Sequence, residues 1–171
     1  MTMNAITARV LSKFGNDVST DDMSSAKYVT STEPEELAKI CMRDIDPEFP
    51  AKMAPGGFVV AGKNFGCGSS REWGPIGVKA AGAICVFAEE FARIFYRNAL
   101  NIGLPVIECK DVSSLIDLGD EVEVDLRTGV ITDKTKNLTL QGIPIPGFLM
   151  EQVEKGGLLE KLKSDLEKGG Y

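Results

Sequence analysis

The run "NFGCGSSRE" at residues 64–72 gathers a serine pair and an arginine behind two glycines, with a cysteine between those glycines. Three chemistries compete for it. A phosphate-gripping loop requires G-x-x-x-x-G-K-[ST], so that backbone amides and a lysine meet the phosphates. Here Ser69 follows "GCG", and Lys63 lies upstream. The dinucleotide pattern G-x-G-x-x-G fails as well, because Arg71 stands where its third glycine belongs. A Cys67 nucleophile needs a base or a positive field to become a thiolate, and the 171 residues include no histidine. That absence also removes Ser-His-Asp catalysis and histidine metal sites. Proton transfer is left to Asp, Glu, Lys, Tyr, Cys or an activated serine.

The third chemistry uses more of the residues. Gly66 and Gly68 allow backbone conformations closed to other residue types. Ser69 and Ser70 then fall where a helix should begin, at its positive end, where unpaired amides stabilise an alkoxide. Arg71 offers a bidentate grip on a carboxylate. A serine beside an arginine therefore suits a base and an anchor for a polycarboxylate. On local grounds a plain N-cap made by the same serines, with Glu72 joining it, accounts for the pattern equally well.

The flanking sequence supplies the elements that must hold this loop. Residues 6–14 alternate loosely and predict a strand closed by a turn at "GND", after which "STDD" and "MSSAKYVTST" read as polar loop. "STEPEELAKICMR" predicts a helix with Thr32 as N-cap and Pro34 in its first turn. "DPEFPAKMAPGG" reads as a connector. "FVVAG" is a buried strand ending at the loop, and "REWGPIGVKAAG" a helix whose regular part follows Pro75 or takes it into an early turn. "AICVFA" and "PVIEC" are strands on either side of the helix "EEFARIFYRNALNIG", which stops at Gly103. This alternation predicts an α/β fold with a parallel or mixed sheet. Residues 121–142 alternate with period two about Thr128-Gly129 and predict antiparallel strands. The closing helix should break at Gly156-Gly157, leaving residues 156–171 as a flexible end.

Composition narrows the classes. With 43% hydrophobic and 26% charged residues, the chain reads as one globular domain over residues 1–171. A net charge of −6 argues against a nucleic-acid surface. No apolar run approaches the roughly 18 residues of a membrane span. Cys41, Cys67, Cys85 and Cys109 form no CxxC pair, which suits a reduced, cytoplasmic setting.

"NFGCGSSRE", the downstream "FARIFYRNALNIGLPVI" and the upstream "DVSTDDMSSAKYV" together resemble the small subunits of the aconitase-like hydro-lyases. The likeness runs over about residues 5–162, in the family's order and spacing. Its nearest branches are the small subunits of 3-isopropylmalate dehydratase and of archaeal-type homoaconitase. It implies a swivelling β/β/α domain of the aconitase C-terminal type, a mixed sheet with flanking helices. Such a domain closes over a site built mainly by a large subunit, in a heterodimer or heterotetramer. That large subunit holds a [4Fe-4S] cluster through three cysteines. This chain is expected to bind no metal itself and to act only with its partner.

Carried over position by position, the resemblance makes Ser69 the alkoxide that removes the substrate's carbon-bound proton. Ser70 and Arg71 become the carboxylate-binding neighbours, while Thr20 and Asp21 line the same pocket. An Asp21 carboxylate that caps backbone amides is the plain alternative. The loop with Lys27, Tyr28, Val29 and Thr30 should read the substrate. Two positions depart from the pattern: Trp73 stands where the family mostly has histidine, and Asp22 where glutamine or histidine often follows Thr-Asp. Homoaconitase-type members tend to carry an arginine just after the Tyr-aliphatic pair, and no arginine lies between Arg9 and Arg43 here. Val29 and the Thr30 methyl suit a small branched alkyl group. The expected substrate is 3-isopropylmalate, as in leucine biosynthesis. Citramalate, 2,3-dimethylmalate and homoaconitate are the alternatives, and a non-catalytic anion- or nucleotide-binding module is the competing class.

Overall fold

The structure, a computed structural model, describes residues 5–169. In chain order the elements are β1 (Ile6–Lys13), α1 (Thr20–Met23), α2 (Pro34–Ile40), α3 (Phe49–Met53), β2 (Gly57–Ala61), α4 (Trp73–Ala81), β3 (Ala83–Ala88) and α5 (Arg93–Asn101). Then come β4 (Val106–Glu108), α6 (Val112–Leu115), β5 (Glu121–Val124), β6 (Val130–Asp133), β7 (Leu138–Gln141), α7 (Gly147–Glu154) and α8 (Leu158–Lys168). No helix among the described residues is long and apolar enough to cross a membrane.

The strands join in one seven-stranded mixed sheet of order β4-β3-β2-β1-β5-β6-β7. β1 serves two neighbours with different parts of its length. Ile6–Arg9 pair antiparallel with β5, from Ile6 opposite Val124 to Arg9 opposite Glu121. Val10, Ser12 and Lys13 pair parallel with Phe58, Val59 and Val60 of β2, and Leu11 is the extra residue in that ladder. Such an insertion bends a strand and sharpens its twist. β2, β3 and β4 continue in parallel, whereas β5, β6 and β7 run as antiparallel hairpins.

The burial pattern follows from this division. All five residues of β2 are buried, as a central parallel strand covered on both faces should be. β5 and β6 alternate half-buried and buried residues, the period of a sheet with one core face. Phe58 and Phe87 pack at 4.9 Å between ring centroids in the parallel half.

Several boundaries differ from the sequence reading. Residues 20–23 form a helical turn where loop was expected, because Ser19 caps it. Thr32 is not an N-cap: Glu33 takes that place with Pro34 at the first position, and Ser31 Oγ accepts the Glu33 N–H at 3.1 Å. The 46–57 connector contains α3, stabilised by burial of Phe49 and Met53, one helical turn apart. α4 begins at Trp73, so Ser69 and Ser70 precede the helix rather than cap it. The break at Gly156-Gly157 falls as read, both glycines having positive φ.

Candidate functional site

The sheet does not stop at the formal ends of its parallel strands. Residues 65–67, beyond β2, bridge to Ser19 on one side and to Phe91 on the other. Gly66 N–H donates to the Val18 carbonyl at 2.7 Å, and Thr20 N–H donates to the Cys67 carbonyl at 2.8 Å. On the opposite side Phe65 N–H reaches the Glu90 carbonyl at 3.0 Å, and Ala92 N–H reaches the Phe65 carbonyl at 2.9 Å. Three loops, those after β1, β2 and β3, are thereby stitched together beyond the carboxyl ends of parallel strands. Open α/β sheets bind ligands in that position.

Gly66 makes the stitching possible. Its φ is +85°, and a Cβ there would lie 2.1 Å from Phe95 Cγ. Phe95 is itself in T-shaped contact with Phe65 at 5.3 Å. No residue with a side chain fits without displacing that aromatic cluster.

Ser69 is clamped by Thr20. Ser69 N–H donates to Thr20 Oγ1 at 3.0 Å, and the Thr20 hydroxyl donates back to the Ser69 carbonyl at 3.2 Å. The Thr20 side chain is thus turned to the Ser69 main chain rather than to open space, and the residue is 6% exposed. With its backbone fixed, Ser69 stays half-exposed, and its Oγ accepts the Arg71 N–H at 3.1 Å. A backbone N–H aimed at a hydroxyl oxygen favours the charged form of that oxygen. Ser70 is exposed, and its carbonyl accepts from Asn98 Nδ2 at 3.1 Å, which ties the loop to α5.

Asp22 does the capping that Asp21 was a candidate for. Asp22 Oδ2 accepts from Ser19 N–H and from Ser19 Oγ, both at 2.8 Å, while Ser19 Oγ accepts the Asp22 N–H at 3.0 Å. That capping box gives Asp22 a structural reason. It leaves Asp21 exposed on the first turn of α1.

Arg71 is exposed, and its guanidinium carbon lies 4.9 Å from the centroid of the Trp73 ring. Thr32, Arg71, Glu72, Trp73 and Ile76 line an open cleft of about 430 Å³. Thr32, Trp73, Ile76 and Asn98 are members of this neighbourhood that spacing alone did not nominate. Trp73 was visible as an unusual residue, and Asn98 lies within the "YRNAL" motif. A separate hollow of about 290 Å³, lined by Phe91, Arg93, Tyr96, Arg97, Glu108 and Ile143, includes none of the nominated residues.

The 27–30 loop is braced from outside. Lys27 Nζ is 2.9 Å from Asp44 Oδ2, and the Tyr28 hydroxyl donates to Asp44 Oδ1 at 2.8 Å. Its bond to Asp44 holds the Lys27 ammonium above its ordinary range, and the bonds from Lys27 and then Tyr28 hold the Asp44 carboxyl below its own. Arg43 stacks its guanidinium 4.5 Å from the Tyr28 centroid. An arginine distant in sequence is therefore brought to the loop after all. Val29 is half-buried and Thr30 exposed.

A family profile, the Aconitase C-terminal domain, matches residues 10–111. The chain belongs to this family. Halothermothrix orenii has a 3-isopropylmalate dehydratase small subunit 53% identical over 159 residues, covering 93% of this chain and 96% of that protein. The isopropylmalate/citramalate isomerase small subunit of Methanocaldococcus jannaschii is 54% identical, covering 90% and 92%. A crystal structure of a 3-isopropylmalate dehydratase from the same archaeon superposes with a TM-score of 0.87 at 43% identity, covering 97% of this chain and 99% of that one. Small subunits of a dehydratase and of an isomerase thus match this aconitase-family chain over 90–93% of its length.

The residues of this member do not suit an iron–sulfur cluster of their own. Cys41, Cys85 and Cys109 are buried, and among the described residues no three His, Cys, Asp or Glu side chains gather where they could hold a metal ion together. Cys67 is half-exposed, but partial burial and then the negative field of Asp17 and Asp22 raise its thiol. Cys67 is equally unsuited to act as a nucleophile.

Proposed function

We propose that this chain is the small subunit of a 3-isopropylmalate dehydratase, acting as one swivel domain on a larger subunit that carries the [4Fe-4S] cluster. The observation that supports it most directly is the placing of Ser69 Oγ and the Arg71 guanidinium on one loop. That loop is held by Thr20 and open to solvent where a second chain can cover it.

In this reading Ser69 Oγ takes the proton from the carbon beside a substrate carboxylate and returns it in the reverse direction. The Arg71 N–H favours negative charge on that oxygen. Arg71 binds the carboxylate through its guanidinium, with Ser70 beside it and the exposed Asp21 on the facing turn. Thr20 fixes the Ser69 backbone, so its role is positioning. The large subunit's cluster supplies Lewis-acid activation of the leaving hydroxyl; proton handling and carboxylate binding fall to this chain.

The alkyl branch lies against Val29 and Thr30, and Lys27 is held by Asp44 rather than free for a third carboxylate. A range that includes citramalate is the second reading. It is favoured by the name of the Methanocaldococcus relative, since one methylene changes binding by only about 1–3 kcal/mol. The test is anaerobic reconstitution with the large subunit, iron and sulfide, followed by turnover of 3-isopropylmalate, citramalate, 2,3-dimethylmalate and homoaconitate. Fastest turnover of 3-isopropylmalate is expected. An assembled complex that dehydrates none of the four would overturn the reading.

A further inference from the structure

Arg71 sits beside a carboxylate it does not use. Glu72 follows it in sequence and lines the same cleft, yet among the described residues no acidic side chain lies within ion-pair distance of Arg71. The guanidinium rests instead on the indole of Trp73 at 4.9 Å. A long side chain on the surface loses substantial rotamer freedom when it is held in one place. An aromatic face meets part of that loss before a ligand arrives.

The shelf is itself fixed. Trp73 is half-buried and opens α4, and its carbonyl accepts from Ser24 Oγ at 3.0 Å, Ser24 being 5% exposed. The backbone of Arg71 is held separately, through its N–H bond to Ser69 Oγ. The base and the anchor are therefore each tied to a rigid element, one through Thr20 and one through Trp73.

We infer that Trp73 is a positioning residue for carboxylate recognition. Its ring holds the Arg71 guanidinium unpaired, away from Glu72 and over the cleft, ready for an incoming carboxylate. The role rests on the reading of Ser69 and Arg71 given above. It assigns a purpose to a residue that departs from the family pattern.

The test uses the assembled two-subunit enzyme with three variants, Trp73→Phe, Trp73→Leu and Ser69→Ala. Phenylalanine and leucine are both smaller apolar side chains, but only phenylalanine keeps an aromatic face. Trp73→Leu should raise KM for 3-isopropylmalate by about 3- to 30-fold with little change in kcat, and Trp73→Phe should restore most of the loss. Equal KM values in the two Trp73 variants, whether raised or not, would overturn the inference, because the aromatic face would then be irrelevant. Ser69→Ala separates the two levels. Turnover surviving in that variant removes the catalytic reading itself, whereas its loss beside equal Trp73 variants removes the shelf alone.

Discussion

The two halves of the sheet share a strand and differ in everything else. In the parallel half, β2 is buried throughout and β3 and β4 at all but one residue each, and the loops leaving β1, β2 and β3 are sewn together by backbone bonds at residues 17–20, 63–67 and 90–92. In the antiparallel half, β5 to β7 turn tightly, and side-chain charges brace the turns. Lys136 Nζ alone reaches Asp117 at 2.6 Å and Asp120 at 2.8 Å. Every residue nominated from the sequence lies in the first half. Parallel connections bring distant loops to one rim, where single side chains from each can meet. Hairpins bring neighbours together and leave little room for such a convergence.

The sharpest way to break this contrast is Ser69→Ala. Loss of a general base should lower kcat of the assembled enzyme by roughly 10²- to 10⁴-fold, with the subunits still co-eluting in gel filtration; near-normal turnover would leave the parallel rim without its chemistry. Thr20→Val keeps the shape but removes the hydroxyl that grips Ser69. A fall in kcat of about tenfold and a stability loss of about 1–2 kcal/mol are expected, read from steady-state kinetics and urea midpoints. If kcat holds while stability drops, the clamp is structural only. A smaller effect is a change of preference. Thr30→Arg should raise the ratio of homoaconitate to isopropylmalate turnover severalfold, and an unchanged ratio would show that this loop does not read the substrate.

The smallest effect concerns the other half. Lys136 first and Lys13 second hold the Asp117 carboxyl below its ordinary 3.8. A folded-state value below the unfolded one stabilises the protein above that ordinary value, and the contribution disappears as pH falls through the lowered one. Lys136 is itself held above its ordinary 10.5, so its share persists below that value and is lost as pH rises further. Lys136→Met should therefore flatten the acid limb of a pH series of melting temperatures while kcat at neutral pH is untouched. An altered kcat would mean that the halves are less separate than their contacts indicate.

The parts legible in the sequence are those where one strong local signal acts. "FVVAG", "AICVFA" and "PVIEC" are apolar runs with nothing to compete against a strand, and residues 121–142 carry clean alternation. The short helices were missed for a matching reason. Thr20–Met23 depends on Ser19 and Asp22 bonding each other, and Phe49–Met53 depends on a core waiting to receive two side chains. At the candidate site, motif and resemblance nominate Ser69 and Arg71. The Thr20 hydroxyl on the Ser69 backbone joins residues 49 positions apart, and no spacing rule announces that. Arg43 teaches the same lesson: the stretch between Arg9 and Arg43 has no arginine, yet Arg43 itself lies against Tyr28. The placing of the serines at a helix start was wrong because Trp73, not Ser69, opens α4.

The divided pairing of β1 also has a temporal side. Ile6–Arg9 leave the ribosome more than 100 positions ahead of their antiparallel partners, Glu121–Val124. Val10–Lys13 find Phe58–Val60 much sooner. The rim that carries Ser69 can thus be in place while the opposite edge of the founding strand is still bare, and a nascent chain stalled before residue 121 would expose that edge to any other strand it meets.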